Sequence, residues 1–416
     1  MRQTTKEMVS LSLRSGERVG VRGRPRGLLL CTILLVGCDP GFRPETLIEN
    51  MRLIGVSADP PKLLPGESTR VSALILDPSR ASPSTVLWLG CEADPFNLNR
   101  SPCANPDVLQ DPSALTSGTG MLPPGVTVIG LNDRAFYTVP AGLFGVLAPD
   151  DPRRQKGTVG QLIAFAVAET VSPQAPMEEL QALFERVQRK ELKSIIALFR
   201  VSISESPDRN ANPLVDSLVV ANEPWPRGAR FFVKEGEPIT LDVIAPDSSF
   251  EPFELDTPTG IEMKTERIMT AWYSTSGRFS ETSTALREGV KTIFTAPGKT
   301  AADPVPERRT GTLYTVFRDT RGGQAWREWP FFVCDTSLAA PAVTSVDWPA
   351  NEGDPVVLRG SDLTSVLDVV VDDVALERAA FLEASGTYQG YLPAGIPVGT
   401  PRGLLHTRLC TRAPLL

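Results

Sequence analysis

Apolar and polar residues alternate with a period of two in several stretches of this sequence. The alternation is clearest at residues 69–76, 194–204 and 239–243, where every second side chain is apolar. Because successive side chains of a strand point to opposite faces, this pattern predicts strands that each turn one face towards a core. Further strands are predicted at residues 86–91, 126–131, 135–139, 161–169, 268–275 and 290–296.

One stretch follows a helical period instead. Met177, Leu180, Phe184 and Val187 are spaced three or four residues apart, so they share one face of an α-helix. Acidic residues begin the stretch and basic residues end it, which is the order that suits the helix dipole. We predict one amphipathic helix over residues 177–193, inserted between strands. We favour packing of its apolar face on its own domain, and the alternative is a helix that binds a partner.

Turn-forming residues are frequent along the whole chain. Its 416 residues include 38 prolines and 33 glycines, which favours many short strands over long helices. At roughly 100–200 residues per domain, this length predicts two to four domains. The predicted fold class is therefore all-β.

Two regions share an order of features: a turn with glycine, then an alternating strand, then a strand with a tryptophan. The tryptophan is Trp88 in the first region and Trp272 in the second. This order resembles bacterial immunoglobulin-like domains, in which such a tryptophan packs between two sheets. Residues 311–323 also resemble the penultimate strand and hairpin of PKD-type domains. The resemblance implies tandem immunoglobulin-like β-sandwiches with one inserted amphipathic helix.

A third region begins at Pro341 and contains Gly353, Val356, Leu358 and Gly360 in the order G-x-x-V-x-L-x-G. It resembles an IPT/TIG domain, a small immunoglobulin-like sandwich of cell-surface proteins and some transcription factors. The expected organisation comprises an immunoglobulin-like domain at 51–206 with the helical insertion at 177–193, an immunoglobulin-like or PKD-like domain at 214–335 and an IPT/TIG-like domain at 340–416.

The N-terminus has the features of an export signal. Five arginines lie between residues 14 and 26, and an apolar run follows at residues 28–36. The run ends in Leu35-Val36-Gly37-Cys38, which resembles the lipobox of bacterial lipoproteins. The resemblance implies cleavage before Cys38 and attachment of lipid to it. Residues 1–37 are then the lipoprotein signal peptide, and residues 38–50 are the lipidated cysteine and a tether. The alternative is a buried cysteine at the end of an ordinary signal peptide.

With its lipobox and its three domain patterns, the chain resembles envelope lipoproteins of the myxobacterial type. This implies a location in the cell envelope, with a lipid anchor at Cys38 as the contact with the membrane. We expect the outer membrane rather than the inner one, with the protein either periplasmic or surface-exposed. The first 37 residues carry seven Lys and Arg and two Glu, so cleavage takes the net charge from −7 to −12. An acidic protein is repelled by phosphate backbones, and we therefore expect no nucleic-acid partner.

Four cysteines remain besides Cys38 and the Cys31 of the signal peptide: Cys91, Cys103, Cys334 and Cys410. An even number in an exported protein predicts two disulfides, for which three pairings are possible. We favour Cys91–Cys103, which closes a short loop, and Cys334–Cys410, which ties the last region to the one before it. A zinc site is not expected, because there is no C-x₂-C spacing.

Residues with catalytic potential are few. The single histidine, His406, lies in a predicted final strand, and the G-x-S-x-G motif of serine hydrolases is absent from the sequence. We expect no enzyme activity and no cofactor. Four acidic residues within 245–257 form a weak calcium candidate, against the simpler interpretation of a solvated acidic loop. They are Asp247, Glu251, Glu254 and Asp256.

Two functional classes follow. The first is a non-catalytic binding or scaffolding module of the cell envelope, with an envelope protein or a glycan as its ligand, because the loop ends of β-sandwiches are common contact sites. The alternative is a carbohydrate-active enzyme or its glycan-binding accessory protein. A calcium-stiffened adhesin is a third and weaker hypothesis.

Overall fold

Antiparallel β-sheet makes up most of the computed structural model, which describes residues 44–96, 125–172, 174–300, 303–351, 353–397 and 403–415. In these residues the larger sheets form three successive pairs, and each pair encloses a core. The fold is therefore all-β, built from tandem immunoglobulin-like sandwiches. Within the described residues, no helix is both long and apolar enough to cross a membrane.

The first sandwich spans residues 52–203. Its elements are β1 (Arg52–Asp59), β2 (Lys62–Leu63), β3 (Ser68–Leu76), β4 (Thr85–Cys91), β5 (Val126–Leu131), β6 (Ala135–Thr138), α1 (Pro152–Lys156), β7 (Thr158–Val167), α2 (Met177–Gln188) and β8 (Ser194–Ile203). One sheet has the order β1-β3-β6 and the other the order β2-β8-β7-β4-β5. Trp88 is fully buried between them together with Val71, as the alternation of β3 and the tryptophan strand predicted.

Helix α2 covers the outer face of the second of these sheets. Its Leu180 and Leu183 pack against Leu89 of β4 and Phe165 of β7, which explains why every residue of β4 is buried. The prediction that this helix packs on its own domain is confirmed. The helix ends at Gln188 rather than at residue 193, because the chain enters the left-handed region at Lys190, with φ of 59°.

The second sandwich spans residues 217–333. Its strands are β9 (Ser217–Val220), β10 (Glu223–Pro224), β11 (Phe231–Val233), β12 (Pro238–Ile244), β13 (Pro252–Thr257), β14 (Gly260–Thr265), β15 (Met269–Ser274), β16 (Arg278–Phe279), β17 (Ser283–Ala285), β18 (Thr292–Thr295), β19 (Lys299–Thr300), β20 (Asp303–Pro304), β21 (Thr310–Arg318) and β22 (Gln324–Val333). The sheets have the orders β10-β9-β12-β18-β16 and β11-β22-β21-β15-β17, with Trp272, Phe294 and Phe331 buried in the shared core.

Two hairpins lie outside these sheets, β13–β14 and β19–β20. The first of them corrects the interpretation of residues 245–257 as an acidic loop. Residues 252–257 form a strand, because Phe253 and Leu255 alternate with acidic residues and a two-residue turn at Pro258 and Thr259 leads into β14.

The third sandwich spans residues 342–414. Its strands are β23 (Ala342–Asp347), β24 (Pro355–Ser361), β25 (Val366–Val371), β26 (Val374–Ala375), β27 (Glu377–Leu382), β28 (Thr387–Tyr391), β29 (Gly403–Thr407) and β30 (Arg412–Pro414). The sheets have the orders β23-β24-β28-β27 and β26-β25-β29-β30. Val356, Leu358 and Val369 are buried between them.

The first junction joins the first sandwich to the second. Its apolar part includes Ile54 of β1 and Val316 of β21. Its polar part uses backbone groups: the Ser57 hydroxyl donates to the carbonyl oxygen of Gln324 at 2.7 Å, and Arg318 donates to the carbonyl oxygen of Ile54 at 3.0 Å. These contacts hold β1 against the sheet of β21 and β22.

The second junction joins the second sandwich to the third. Cys334, just after β22, and Cys410, between β29 and β30, form a disulfide, the pairing that the sequence analysis favoured. The Arg230 guanidinium contacts the Asp368 carboxylate at 3.0 Å, and the Arg230 backbone N–H donates to the same carboxylate at 2.9 Å. A covalent bond and a largely buried ion pair therefore fix the third sandwich to the second.

Candidate functional site

A cleft of about 660 Å³ lies at the first junction. One wall is formed by β3 and by the loop of residues 77–84 that joins β3 to β4, and a second wall by the β5–β6 turn at Asn132 and Asp133. The second sandwich contributes Thr275 and Tyr314. Small-molecule sites are typically clefts of about 300–1,000 Å³ and often lie where two domains meet. This cleft satisfies both conditions.

The loop of residues 77–84 is shaped by its own side chains. The Asp77 carboxylate accepts a hydrogen bond from the Ser79 backbone N–H at 3.1 Å, which is the geometry of an Asx turn. The Arg80 guanidinium donates to the carbonyl oxygen of Ala168, and the Thr170 hydroxyl donates to that of Pro83 at 2.7 Å. The loop is therefore anchored to the segment that follows β7.

The β5–β6 turn is anchored to the core of the first sandwich. The Asn132 side-chain oxygen accepts a hydrogen bond from the Val86 N–H at 2.9 Å, and its backbone oxygen accepts one from the indole N–H of the buried Trp88 at 2.8 Å. Asn132 has φ of 51°, a conformation that asparagine tolerates better than most residues. This turn holds Asp133 at the cleft, where its carboxylate lies 3.2 Å from the Arg70 guanidinium.

Tyr314 supplies the aromatic part of the second-sandwich wall. It lies on β21 opposite Tyr273 of β15 and is half-buried. Burial and the neighbouring charge of Glu328 raise the pKa of the Tyr314 phenol above its ordinary value. Beside it, the Thr275 hydroxyl accepts a hydrogen bond from the Thr312 N–H at 3.0 Å.

The loop of residues 77–84 contains three buried polar atoms without a hydrogen-bond partner among the described residues. They are Asp77 Oδ2, Arg80 Nε and Ser84 Oγ. A buried polar group left in this condition costs about 1–3 kcal/mol, so most such groups in proteins are satisfied. All three lie on the loop of residues 77–84 beside the cleft.

The structure describes the side chains of three of the four acidic residues of the calcium candidate, and two of these three contact arginines. Asp247 contacts the Arg287 guanidinium, and Glu251 contacts Arg321 at 2.6 Å. Glu254 is exposed on β13, and the side chain of Asp256 lies outside the described part of the structure. Among the described residues, no group of three or more His, Cys, Asp or Glu is arranged to hold a metal ion.

Glu251 belongs instead to an ion cluster around Arg321. The Arg321 guanidinium lies 3.0 Å from Asp208, 2.6 Å from Glu251 and 2.6 Å from Glu266, whose side chain is only 1% exposed. Burial raises the pKa of Glu266, and the hydrogen bond from Arg321 opposes that rise. Through Asp208, the cluster connects the segment between the first two sandwiches to the base of the β13–β14 hairpin, which is a structural role.

His406 lies in the second junction. Its ring centroid is 5.4 Å from that of Trp225 and 5.7 Å from that of Phe232, and it is fully buried. Neither imidazole nitrogen has a hydrogen-bond partner in the described residues. Burial, together with the positive charge of Arg412, lowers the pKa of His406 to about 4. A neutral histidine packed between aromatic rings is a core residue. It lies on β29, which is followed by β30, and not on the final strand as the sequence predicted.

The remaining predicted site residues concern the cysteines. Cys91 is buried at the end of β4 and is disulfide-bonded. Its predicted partner Cys103 and the predicted lipidation site Cys38 lie outside the described residues.

The cleft itself was not predicted from the sequence. The nearest signals are two turn-rich stretches, Asp77-Pro78-Ser79-Arg80 and Asn132-Asp133, and surface loops in general have such residues. Tyr314 is far from both in the sequence and reaches the cleft only because the second sandwich packs on the first.

Comparisons with known proteins return similarity at the level of structure only. No family model matches the chain, and no curated protein matches it. A Bacteroides ovatus protein of a mixed-linkage glucan utilization locus, SGBP-B, solved with a mixed-linkage heptasaccharide, aligns at 15% identity and a TM-score of 0.17 over 48% of this chain. The alignment covers 46% of that protein, so this chain spans less than half of its length.

Two further solved structures are similar over a larger share of the chain. The fibronectin(III)-like modules of Clostridium thermocellum CbhA align at 11% identity and a TM-score of 0.19, over 69% of this chain and 97% of theirs. The N-terminal Ig1-2 module of the Drosophila receptor protein tyrosine phosphatase DLAR aligns at 10% identity and a TM-score of 0.18, over 69% of this chain and 100% of its own. At these identities and TM-scores the similarities carry no argument about function.

Proposed function

We propose that this protein is a lipid-anchored, non-catalytic binding module of a bacterial cell envelope, and that its ligand is a glycan bound in the cleft at the first junction. The observation that carries the proposal is the cleft, with an aromatic ring on one wall and hydrogen-bonding groups on the others. The anchor rests on the lipobox at residues 35–38 and on the order of domains that resembles myxobacterial-type lipoproteins.

The chemistry of the walls supports a saccharide as the ligand. Sugar hydroxyls both donate and accept hydrogen bonds, and the cleft offers both kinds of group. Asp77 is an acceptor, Arg80 is a donor, and Ser84 is either. The Tyr314 ring presents an apolar surface for the C–H face of a sugar, and its hydroxyl adds a polar contact. Such a site combines a mainly apolar lining with a small number of placed polar groups.

Glycan binding can be measured on the secreted chain that carries Cys38→Ala. We expect binding to members of a glycan array, confirmed by isothermal titration calorimetry. Tyr314→Ala and Arg80→Ala each remove a contact, and we expect each to weaken binding by about tenfold or more, equivalent to about 1.4 kcal/mol. Tyr391→Ala is the matched control, because Tyr391 is a half-exposed tyrosine on the third sandwich. Folded protein that binds no glycan, or binding that Tyr314→Ala leaves intact, would contradict the proposal.

A carbohydrate-active enzyme is the second candidate, favoured by one observation. Two carboxylates, Asp77 and Asp133, line the cleft, and most glycoside hydrolases use a carboxylate pair. Asp133 contacts Arg70, so one of the two is already engaged in an ion pair. Release of reducing ends from an array ligand, abolished by Asp77→Asn and by Asp133→Asn, would replace the binding module with the enzyme.

A further inference from the structure

The β13–β14 hairpin is an arm that extends from the second sandwich. Its two strands pair with each other, and in the described part of the chain neither pairs with a third strand. Every residue of β14 is exposed, and its apolar side chains are no exception: Ile261 is 70% exposed and Met263 64%. Exposure of two large apolar residues on a single free strand is typical of a contact surface.

The base of this arm is firmly held. The Glu266 backbone N–H donates to the carbonyl oxygen of Glu251 at 3.0 Å, which closes the hairpin at its root. Both of these carboxylates contact Arg321, whose guanidinium also lies over the Phe253 ring, 5.3 Å from its centre. A hairpin alone is marginally stable in water. This one is fixed at its base, and no other strand of the described residues pairs with either of its edges.

Free edges normally carry features that prevent pairing with another strand, and β13 has two of them. Pro252 has no backbone N–H to donate. Glu254 occupies the centre of the strand, so two copies paired symmetrically about it would place one glutamate directly opposite the other. Like charges in that position are destabilising. The edge of β13 is therefore protected.

The edge of β14 has the opposite character. Thr257 and Gly260 are paired across the two-residue turn. Along β14 from Gly260, the residues alternate: one forms backbone hydrogen bonds with β13, and the next points its backbone groups to the opposite side. By this alternation Ile261, Met263 and Thr265 present N–H and C=O groups to the free side. None of them is a proline, so the strand can accept a full ladder of hydrogen bonds.

The charges on β14 are self-complementary. Glu262 and Lys264 flank Met263, and their side chains form an ion pair at 2.6 Å. When two β14 strands run antiparallel about a two-fold axis at Met263, each Glu262 lies opposite the Lys264 of the second copy. Met263 then lies opposite itself, and Ile261 opposite Thr265.

We propose that two copies of this protein associate through β14 and form a continuous four-stranded antiparallel sheet centred on Met263. The occupant of the free edge is a second copy because the charges are antisymmetric about Met263, negative at Glu262 and positive at Lys264, so a two-fold axis there brings opposite charges together. The association is independent of the glycan cleft, which lies at the first junction.

Disulfide trapping tests the register. In the secreted full-length chain with Cys38→Ala, Met263→Cys places two thiols opposite each other at a Cα separation that a disulfide can span. We expect covalent dimers under mild oxidation. Leu255→Cys is the matched control, because Leu255 is exposed on β13 of the same hairpin but does not lie on the paired edge. Equal trapping of the two variants, or trapping of neither, would overturn the proposal.

Charge reversal tests the partner. Lys264→Glu and Glu262→Lys each turn two attractive cross-strand pairs into repulsive ones, so we expect each variant to self-associate at least about tenfold more weakly by sedimentation. A mixture of the two variants restores both Glu–Lys pairs, and we expect mixed dimers. This rescue also shows that both variants are folded. Unchanged self-association of either variant, or a mixture that stays monomeric, would refute the proposal.

Discussion

The two junctions between sandwiches are built differently, although each joins one immunoglobulin-like sandwich to the next. The second junction combines a disulfide, the Arg230–Asp368 ion pair and a buried histidine between aromatic rings. The first junction relies on a small apolar cluster and on hydrogen bonds to backbone groups, and it leaves a cleft of about 660 Å³. Similar sandwiches can thus be joined either by covalent and ionic contacts or around an open cleft.

The largest effect is expected from the disulfide of the second junction. Cys334 and Cys410 are 76 residues apart in sequence, and a cross-link over a loop of this size stabilises a fold by about 4 kcal/mol. We expect Cys334→Ser with Cys410→Ser to lower the free energy of unfolding by about that amount in urea titrations. Glycan affinity at the cleft should not change. A double variant as stable as the parent chain would contradict the account of this junction.

The next effect is a dependence on acid. The pKa of His406 is about 4 in the folded chain against an ordinary value of 6.5, so the unfolded chain takes up the proton more readily. Stability from this group is complete above pH 6.5 and decreases as the pH falls from about 6.5 to about 4, by roughly 3 kcal/mol. Below that range both states are protonated and no further loss arises from His406.

The comparison with His406→Leu isolates this contribution, since carboxylates also titrate near pH 4. We expect the difference in unfolding free energy between the two chains to change across pH 6.5 to 4. A constant difference would show that His406 is not held neutral.

A smaller loss is expected from the ion pair of the second junction. Asp368 is 11% exposed and Arg230 32%, and burial raises the pKa of Asp368 in spite of its bonds to Arg230. Removing one partner of a fully buried pair costs about 3–5 kcal/mol, and the partial exposure of Arg230 reduces this to about 2–3. Asp368→Ala should show this loss. In the third sandwich, Arg359 and Asp347 form an exposed ion pair at 3.1 Å, and its removal by Asp347→Ala should cost less than about 1 kcal/mol.

The smallest effect is expected at the first junction. The Gln324 side-chain oxygen accepts a hydrogen bond from the Val56 N–H at 3.3 Å, and its loss costs about 1 kcal/mol. We expect Gln324→Ala to reduce global stability by that amount and to weaken glycan binding, because the cleft walls come from both sandwiches. A loss of several kcal/mol would contradict this, because the first junction would then contribute as much to the free energy of unfolding as the second.

Elements with a clear local pattern were predicted well. The alternating residues 69–76 lie in β3, the predicted strand with Trp88 is β4, and the residues with a helical period form α2. For β3 and α2, burial of one face decides the structure, and the spacing of the apolar residues reports it. Strand β4 is buried on both faces and is a nearly continuous apolar run instead. The end of α2 was placed too late, because the left-handed conformation at Lys190 has no such periodic signal.

The candidate site could not be predicted in the same way. Arg80 and Tyr314 belong to different sandwiches, and only the packing of β1 against β22 brings their surroundings together. Contacts between residues distant in sequence are also hard to predict within one sandwich: Glu251 is close to other carboxylates in sequence, yet it contacts Arg321 between β21 and β22. Local composition carries little information about contacts between domains.

The central claim is that a glycan binds at the first junction. Hydrogen–deuterium exchange with and without an array-identified glycan tests it most directly, because the method reports on each segment of the folded chain. The account predicts slower exchange at residues 77–84 and 132–133 and around Tyr314, with the third sandwich unchanged. Protection confined to the third sandwich, or spread evenly over the chain, would contradict it.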